Sequence, residues 1–233
     1  MSPRPEIADR LAAVRDRIAA AAERSGRRPA DVRLVVVTKE VPVDQIRVAI
    51  EAGAGDVGEN RVQELLPKMD ELSWLVPGPR WHFIGTLQKN KVRSVAGRVA
   101  LIHSIDSVAL AQEVARRAAA AGAFQEALLE VNASGESSKH GLAPDDAEGA
   151  LEALAGEKGL RLRGLMTIAP QGSLALARST FETLRDLRDR LGKTIAGAAL
   201  TELSMGMTDD FEPAIEEGAT IVRIGTAIFG GSS

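Results

Sequence analysis

The chain has 233 residues, 45% of them hydrophobic, a formal charge of −3, three histidines, no cysteine and no tyrosine. Near-balanced charge gives no general electrostatic reason to expect nucleic acid or an anionic membrane as partner, and the missing cysteines exclude disulfides, thiolate metal sites and thiol nucleophiles. No stretch approaches the roughly 18 apolar residues of a membrane span and the N-terminus lacks the apolar segment of a secretory signal, so a soluble cytoplasmic protein with one substantial core is the default expectation.

The first thirty residues read as a helix, with Ile7, Leu11, Val14 and Ile18 at intervals of three and four and Gly26 as a stop. An alternation follows. Strand-like segments are LVVVT (34–38), DVGEN (56–60), WHFIG (81–85), LIHSI (101–105), ALLEVN (127–132), LRGLMTI (162–168), ELSMG (202–206) and IVRIG (221–225). Helical patterns lie between them at 43–53, 61–72, 87–97, 107–121, 144–158, 173–191 and 209–217. Eight strands alternating with helices, with no long linker, predict an α/β protein in which a parallel sheet closes into a single (β/α)8 barrel, preceded by an extra helix. A doubly wound open sheet is the competing architecture. It usually shows a glycine-rich turn after the first strand, where this chain has Thr38-Lys39-Glu40.

Barrel active sites form at the C-terminal strand ends. Those ends carry Lys39, Asn60, Gly85-Thr86, Ser104, Asn132, Met166-Thr167, Ser204 to Met207 and Arg223 to Thr226. Barrels commonly bind phosphate at the loops after strands seven and eight, here LSMGMTDD and RIGTAIFG, in which small residues let backbone N–H groups approach an anion and Ser204 and Thr226 add hydroxyls. Arg223, two residues before Gly225 of the second loop, points to a ligand rather than to an ion-paired core position. His82, His103 and His140 lack metal-ligand spacing, so no metal is expected. QKNKVR (88–93) reads as a solvated basic face, Lys139 in SSKHGL (137–142) as a solvated loop lysine, and Trp74 and Trp81 as packing residues.

A strand-end lysine, a phosphate cradle across the barrel mouth and an arginine between them suit a phosphorylated carbonyl compound. Lys39 would form a Schiff base with it, and the amine must be neutral when it attacks, which burial and neighbouring cations such as Arg223 favour. These residues alone do not distinguish a phosphosugar aldehyde from pyridoxal phosphate.

HFIGTLQKNK (82–91), SSKHGL (137–142), RGLMTIAP (163–170) and LSMGMTDDFEPAIEEGATIVRIGTAIFG (203–230), together with VVVTKEVP and VGENRVQEL, resemble the signatures of the YggS/PROSC family of pyridoxal phosphate homeostasis proteins. The resemblance spans nearly the whole chain. It implies a fold-type III barrel like the N-terminal domain of alanine racemase, forming one pyridoxal 5′-phosphate (PLP) binding domain over 1–233, with residues 1–30 as a helix packed on the barrel. It further implies PLP held by Lys39 as an internal aldimine and phosphate contacts from Ser204, Gly225 and Thr226, with Met205 also in the cofactor set. Arg223 would face the pyridine nitrogen, with Asn60 and Met166 lining the ring pocket. Thr38 and Arg61 depart from the family pattern, which often has serine and an aromatic residue there.

Two-base racemisation needs a second acid or base opposite the lysine. In the racemases that the barrel resembles this is a tyrosine from a further β domain, and this chain has neither tyrosine nor residues left over for such a domain. The favoured expectation is therefore a noncatalytic protein of vitamin B6 homeostasis that buffers or delivers PLP. A PLP-dependent racemase-like enzyme of low activity is the alternative, and a Schiff-base aldolase acting on a phosphosugar is weaker. The implied partners are PLP and PLP-dependent apoenzymes, and the chain is expected to be a monomer because no long exposed apolar strip stands out.

Overall fold

The computed structural model describes residues 3–136, 139–194 and 200–230. Eight parallel strands form a closed barrel in sequence order: β1 (Arg33–Val37), β2 (Asp56–Glu59), β3 (Arg80–Phe83), β4 (Leu101–Ile105), β5 (Gln125–Glu130), β6 (Leu160–Met166), β7 (Glu202–Ser204) and β8 (Ile221–Ile224). β8 pairs with β1, from Arg33 opposite Ile221 to Val36 opposite Ile224, which closes the sheet and rules out the open doubly wound alternative. DVGEN, short and polar as a sequence, forms a strand because its neighbours supply the ladder: Val57 lies opposite both Val36 and Trp81.

The helices that follow are α2 (Val43–Glu51), α3 (Val62–Glu71), α4 (Val92–Val95), α5 (Val108–Ala120), α6 (Ala147–Leu154), α7 (Leu174–Thr194), α8 (Phe211–Glu216) and α9 (Thr226–Phe229). α1 (Pro3–Arg24) precedes the barrel and packs on α2, α8 and α9. Its stripe of Ile7, Leu11, Val14 and Ile18 is buried as the spacing predicts. Arg27, just past its end, donates to the carbonyls of Ile215 and Ala219, at 3.1 and 2.8 Å, and so caps the C-terminal end of α8.

Strand residues alternate between two environments. Outward-facing Val36, Val57, Leu165, Leu203, Val222 and Ile224 join the helices in the main core, while Val35, Leu101, Leu128, Met166 and Ile221 form a separate apolar cluster inside the barrel. The interior also holds His82, His103, Ser204 and Arg223, all buried. Trp81 packs as expected, but Trp74 does not: it lies just past α3 and is 63% exposed.

Candidate functional site

Val35 faces the interior, and because β1 ends at Val37, Lys39 sits in the turn at the mouth end of the strand. Lys39 is not buried. Its side chain is 43% exposed and its Nζ lies 3.9 Å from the Glu40 carboxylate, so the burial expected from the sequence is absent because the mouth is open there. The backbone beneath it, by contrast, is fixed. Thr38 is fully buried, its Oγ1 donating to Glu59 Oε1 at 2.7 Å. Lys68 Nζ lies 2.5 Å from Glu59 Oε1, 2.8 Å from the Thr38 carbonyl and 3.2 Å from Glu64 Oε2. Glu64 also accepts the Glu40 N–H at 2.9 Å. Glu40 has a φ of +59°, left-handed backbone that costs a residue with a side chain about 1–3 kcal/mol, and that hydrogen bond holds it there.

The sequence did not single out this Lys68–Glu59–Glu64 set. Its one visible signal is the four-residue spacing on α3 between Glu64, in VGENRVQEL, and Lys68, three residues past that motif. Glu59 joins from β2 only once strand and helix pack.

On the far side of β1, Gly206 has a φ of +92°, and a Cβ there would fall 2.6 Å from Ala214 Cβ, so glycine is required. The loops after β7 and β8 meet where the Ala227 N–H reaches Thr208 Oγ1 at 3.5 Å. Gly225 and Thr226 lie at this junction, Thr226 exposed. Because β8 pairs with β1, the two loops flank Lys39 rather than oppose it. Met205 is fully buried on the outer side with the helices, and its N–H donates to the Ile221 carbonyl. Met166 belongs to the apolar cluster inside the barrel, at its mouth end.

Arg223 is buried in the barrel, Nη1 donating to Ser204 Oγ at 2.6 Å and Nη2 to the Thr167 carbonyl at 3.0 Å. Burial lowers its pKa to about 10, partly offset by the Glu130 and Asp210 carboxylates, so it stays cationic at neutral pH. Ser204 also contacts His103 Nδ1, at 2.8 Å, so its hydroxyl is engaged on two sides within the barrel. Glu130, at the end of β5, is buried, and burial raises its pKa.

Asn60 Oδ1 is buried and, among the described residues, has no hydrogen-bond partner. Gly85 packs so tightly on it that a Cβ would lie 2.2 Å from the Asn60 carbonyl oxygen. Asn60 lines two cavities at the mouth. One, of about 220 Å³, also touches Glu130, Asn132, Lys139, His140 and Thr167; the other, of about 520 Å³, touches Arg61, Glu64, Gln88 and Lys91. Lys139 therefore shares the mouth rather than sitting apart in a loop. Ser137 and Ser138 of its segment lie outside the described residues.

Residues 10–233 match the family described as alanine racemase, N-terminal domain. A pyridoxal phosphate homeostasis protein from Aquifex aeolicus is 45% identical over 223 residues, covering 95% of this chain and 96% of that protein. The crystal structure of an unknown protein from Bifidobacterium adolescentis superposes with a TM-score of 0.89 at 41% identity, over 97% of this chain and 95% of that one. PipY of Synechococcus elongatus, solved with PLP bound, superposes with a TM-score of 0.85 at 38% identity, over 96% of this chain and all (100%) of that one. The chain belongs to the alanine racemase N-terminal domain family and, within it, to the pyridoxal phosphate homeostasis proteins.

Proposed function

We propose that this chain, acting as one binding domain, holds PLP at the barrel mouth and serves intracellular PLP homeostasis as a buffer or donor of the cofactor, without catalysing a reaction of its own. The observation that carries this reading is the pairing of a strand-end lysine on β1 with a buried, cationic Arg223 on adjacent β8. The residues suit the cofactor's parts. Lys39 reaches the open mouth and would take the aldehyde as a Schiff base. Where the loops after β7 and β8 meet, the Gly225 and Thr226 backbone N–H groups and the exposed Thr226 hydroxyl would be offered to a phosphate. Asn60 Oδ1 is an acceptor awaiting a donor such as the ring hydroxyl.

Bound there, PLP supplies an electrophilic carbon and an electron-withdrawing ring. Arg223 limits the second property, because a fixed cation beside the ring nitrogen disfavours its protonation. Lys39, exposed and ion-paired among the described residues with the exposed Glu40, is suited to reversible capture rather than to directed proton transfer. Ser204 serves by holding Arg223 as well as by adjoining the phosphate loops. A monomer in the cytoplasm that passes PLP to apoenzymes completes the reading.

One observation favours amino-acid chemistry instead: buried Glu130 lines the same mouth and is a carboxyl that could carry a proton. Incubating the PLP-loaded protein with individual amino acids in deuterated water separates the two readings. Buffering predicts no stereospecific α-proton exchange at a catalytic rate, and such exchange would overturn it. Protein purified without added cofactor is expected to be yellow, and Lys39→Ala to lose the visible band.

A further inference from the structure

Beneath the mouth, four hydrogen bonds join five side chains from five strands across the barrel interior. Arg223 Nη1 meets Ser204 Oγ at 2.6 Å, and Ser204 Oγ meets His103 Nδ1 at 2.8 Å. His103 Nε2 meets His82 Nδ1 at 2.9 Å, and His82 Nε2 meets Asp56 Oδ1 at 2.8 Å. Asp56 begins β2, at the end of the barrel away from the mouth, where Arg80 lies 3.5 Å from it.

The two ends of this chain fix its direction. A guanidinium only donates, and an ionised carboxylate only accepts. Burial opposes protonation of both histidines, which are fully buried, and the lowered pKa of Asp56 keeps it ionised. With both rings neutral, one arrangement satisfies every bond: Arg223 to Ser204, Ser204 to His103 Nδ1, His103 Nε2–H to His82 Nδ1, and His82 Nε2–H to Asp56. Placing the His82 proton on Nδ1 would leave Asp56 facing a bare ring nitrogen and, unless His103 also moved its proton to Nδ1, would set two N–H groups against each other.

We infer that His103 and His82, anchored by Asp56, are positioning residues of the proposed cofactor site, which commit the Ser204 hydroxyl proton inward so that its oxygen receives Arg223. The guanidinium N–H groups not given to Ser204 or to the Thr167 carbonyl are then left for the mouth. Arg223 is thus oriented by a residue at the opposite end of the barrel. This inference rests on the cofactor reading for its purpose, but not for its geometry.

The test uses cofactor-free protein labelled with ¹⁵N in histidine. Both buried rings should carry their proton on Nε2 at neutral pH. Asp56→Asn, whose amide can donate as well as accept, removes the constraint at that end and should admit Nδ1–H forms of the His rings beside the Nε2–H forms, a change that loss of packing alone would not produce. In a second arm, His103→Phe leaves the Ser204 hydroxyl without its acceptor, and PLP affinity should fall roughly tenfold. A wild-type His103 protonated on Nδ1, unchanged tautomers in Asp56→Asn, or undiminished PLP affinity in His103→Phe would each overturn the inference. Failure of Lys39→Ala to lose the visible band would count against the cofactor reading only, since the tautomers are measured without cofactor.

Discussion

Lys68→Met removes the cation from the network beneath Lys39 while keeping most of the side-chain volume. Glu59, 0% exposed, then loses its 2.5 Å partner, and the Thr38 carbonyl loses a 2.8 Å donor. An exposed ion pair would contribute about 0–1 kcal/mol, but stripping one partner from a buried pair costs about 3–5 kcal/mol because the remaining charge stays desolvated. The folded form should therefore lose about 3–5 kcal/mol in urea unfolding, with a drop in Tm of roughly 10 °C. Adding Glu59→Gln should recover much of the loss, since it removes the stranded charge and yields a large coupling energy in the double-mutant cycle. A single variant that loses under about 1 kcal/mol would refute the reasoning, as would a strictly additive double variant. The same network holds Glu40 in left-handed backbone, so Lys68→Met should also weaken PLP binding at Lys39.

Gly206→Ala should destabilise the fold by about 2–4 kcal/mol, from positive φ and overlap with Ala214 and Phe211; thermal unfolding near the wild-type midpoint would contradict this. Glu130→Gln should stabilise the cofactor-free protein at neutral pH. Burial raises the Glu130 pKa, so the folded state binds its proton more readily than the unfolded state, and the stability tied to this group is present in acid and lost as pH rises. The gain from Glu130→Gln should accordingly shrink as pH falls through the raised folded value and be gone below the unfolded value of 4.5, checked by urea unfolding across pH. Asn60→Ala should leave cofactor-free stability unchanged or improved, because it deletes a buried acceptor with no described partner, yet weaken PLP binding by roughly five- to tenfold.

The barrel was legible because its strands alternate with amphipathic helices, and each predicted strand overlaps the observed one within two residues at either end. Lys39 and the β7 and β8 loops were legible because they interrupt apolar runs with residues that apolar strands do not use. Relations created by packing were hidden. Glu59 and Lys68 are nine residues apart, a spacing with no meaning until α3 folds back on β2. His82 and His103 read as ordinary strand residues, and only the β3–β4 register brings their rings to 2.9 Å. Ser204 was read as a phosphate donor from its place in the chain, while its hydrogen bonds belong to a chain that runs through four other strands. Lys39 stands out in the sequence as a cation at the end of an apolar strand, which either reaches water or has a chemical task, and its exposure is set by packing: the strand ends at Val37 and the turn carries the side chain into the open.

The central claim is that Lys39 captures the aldehyde of PLP. Borohydride reduction of the PLP-loaded protein, followed by peptide mass mapping, tests it most directly by making the carbon–nitrogen bond permanent. The account predicts one phosphopyridoxyl group, on the peptide containing Lys39. Label confined to Lys139, which shares the 220 Å³ cavity at the mouth, or no fixed label in a yellow protein, would contradict it.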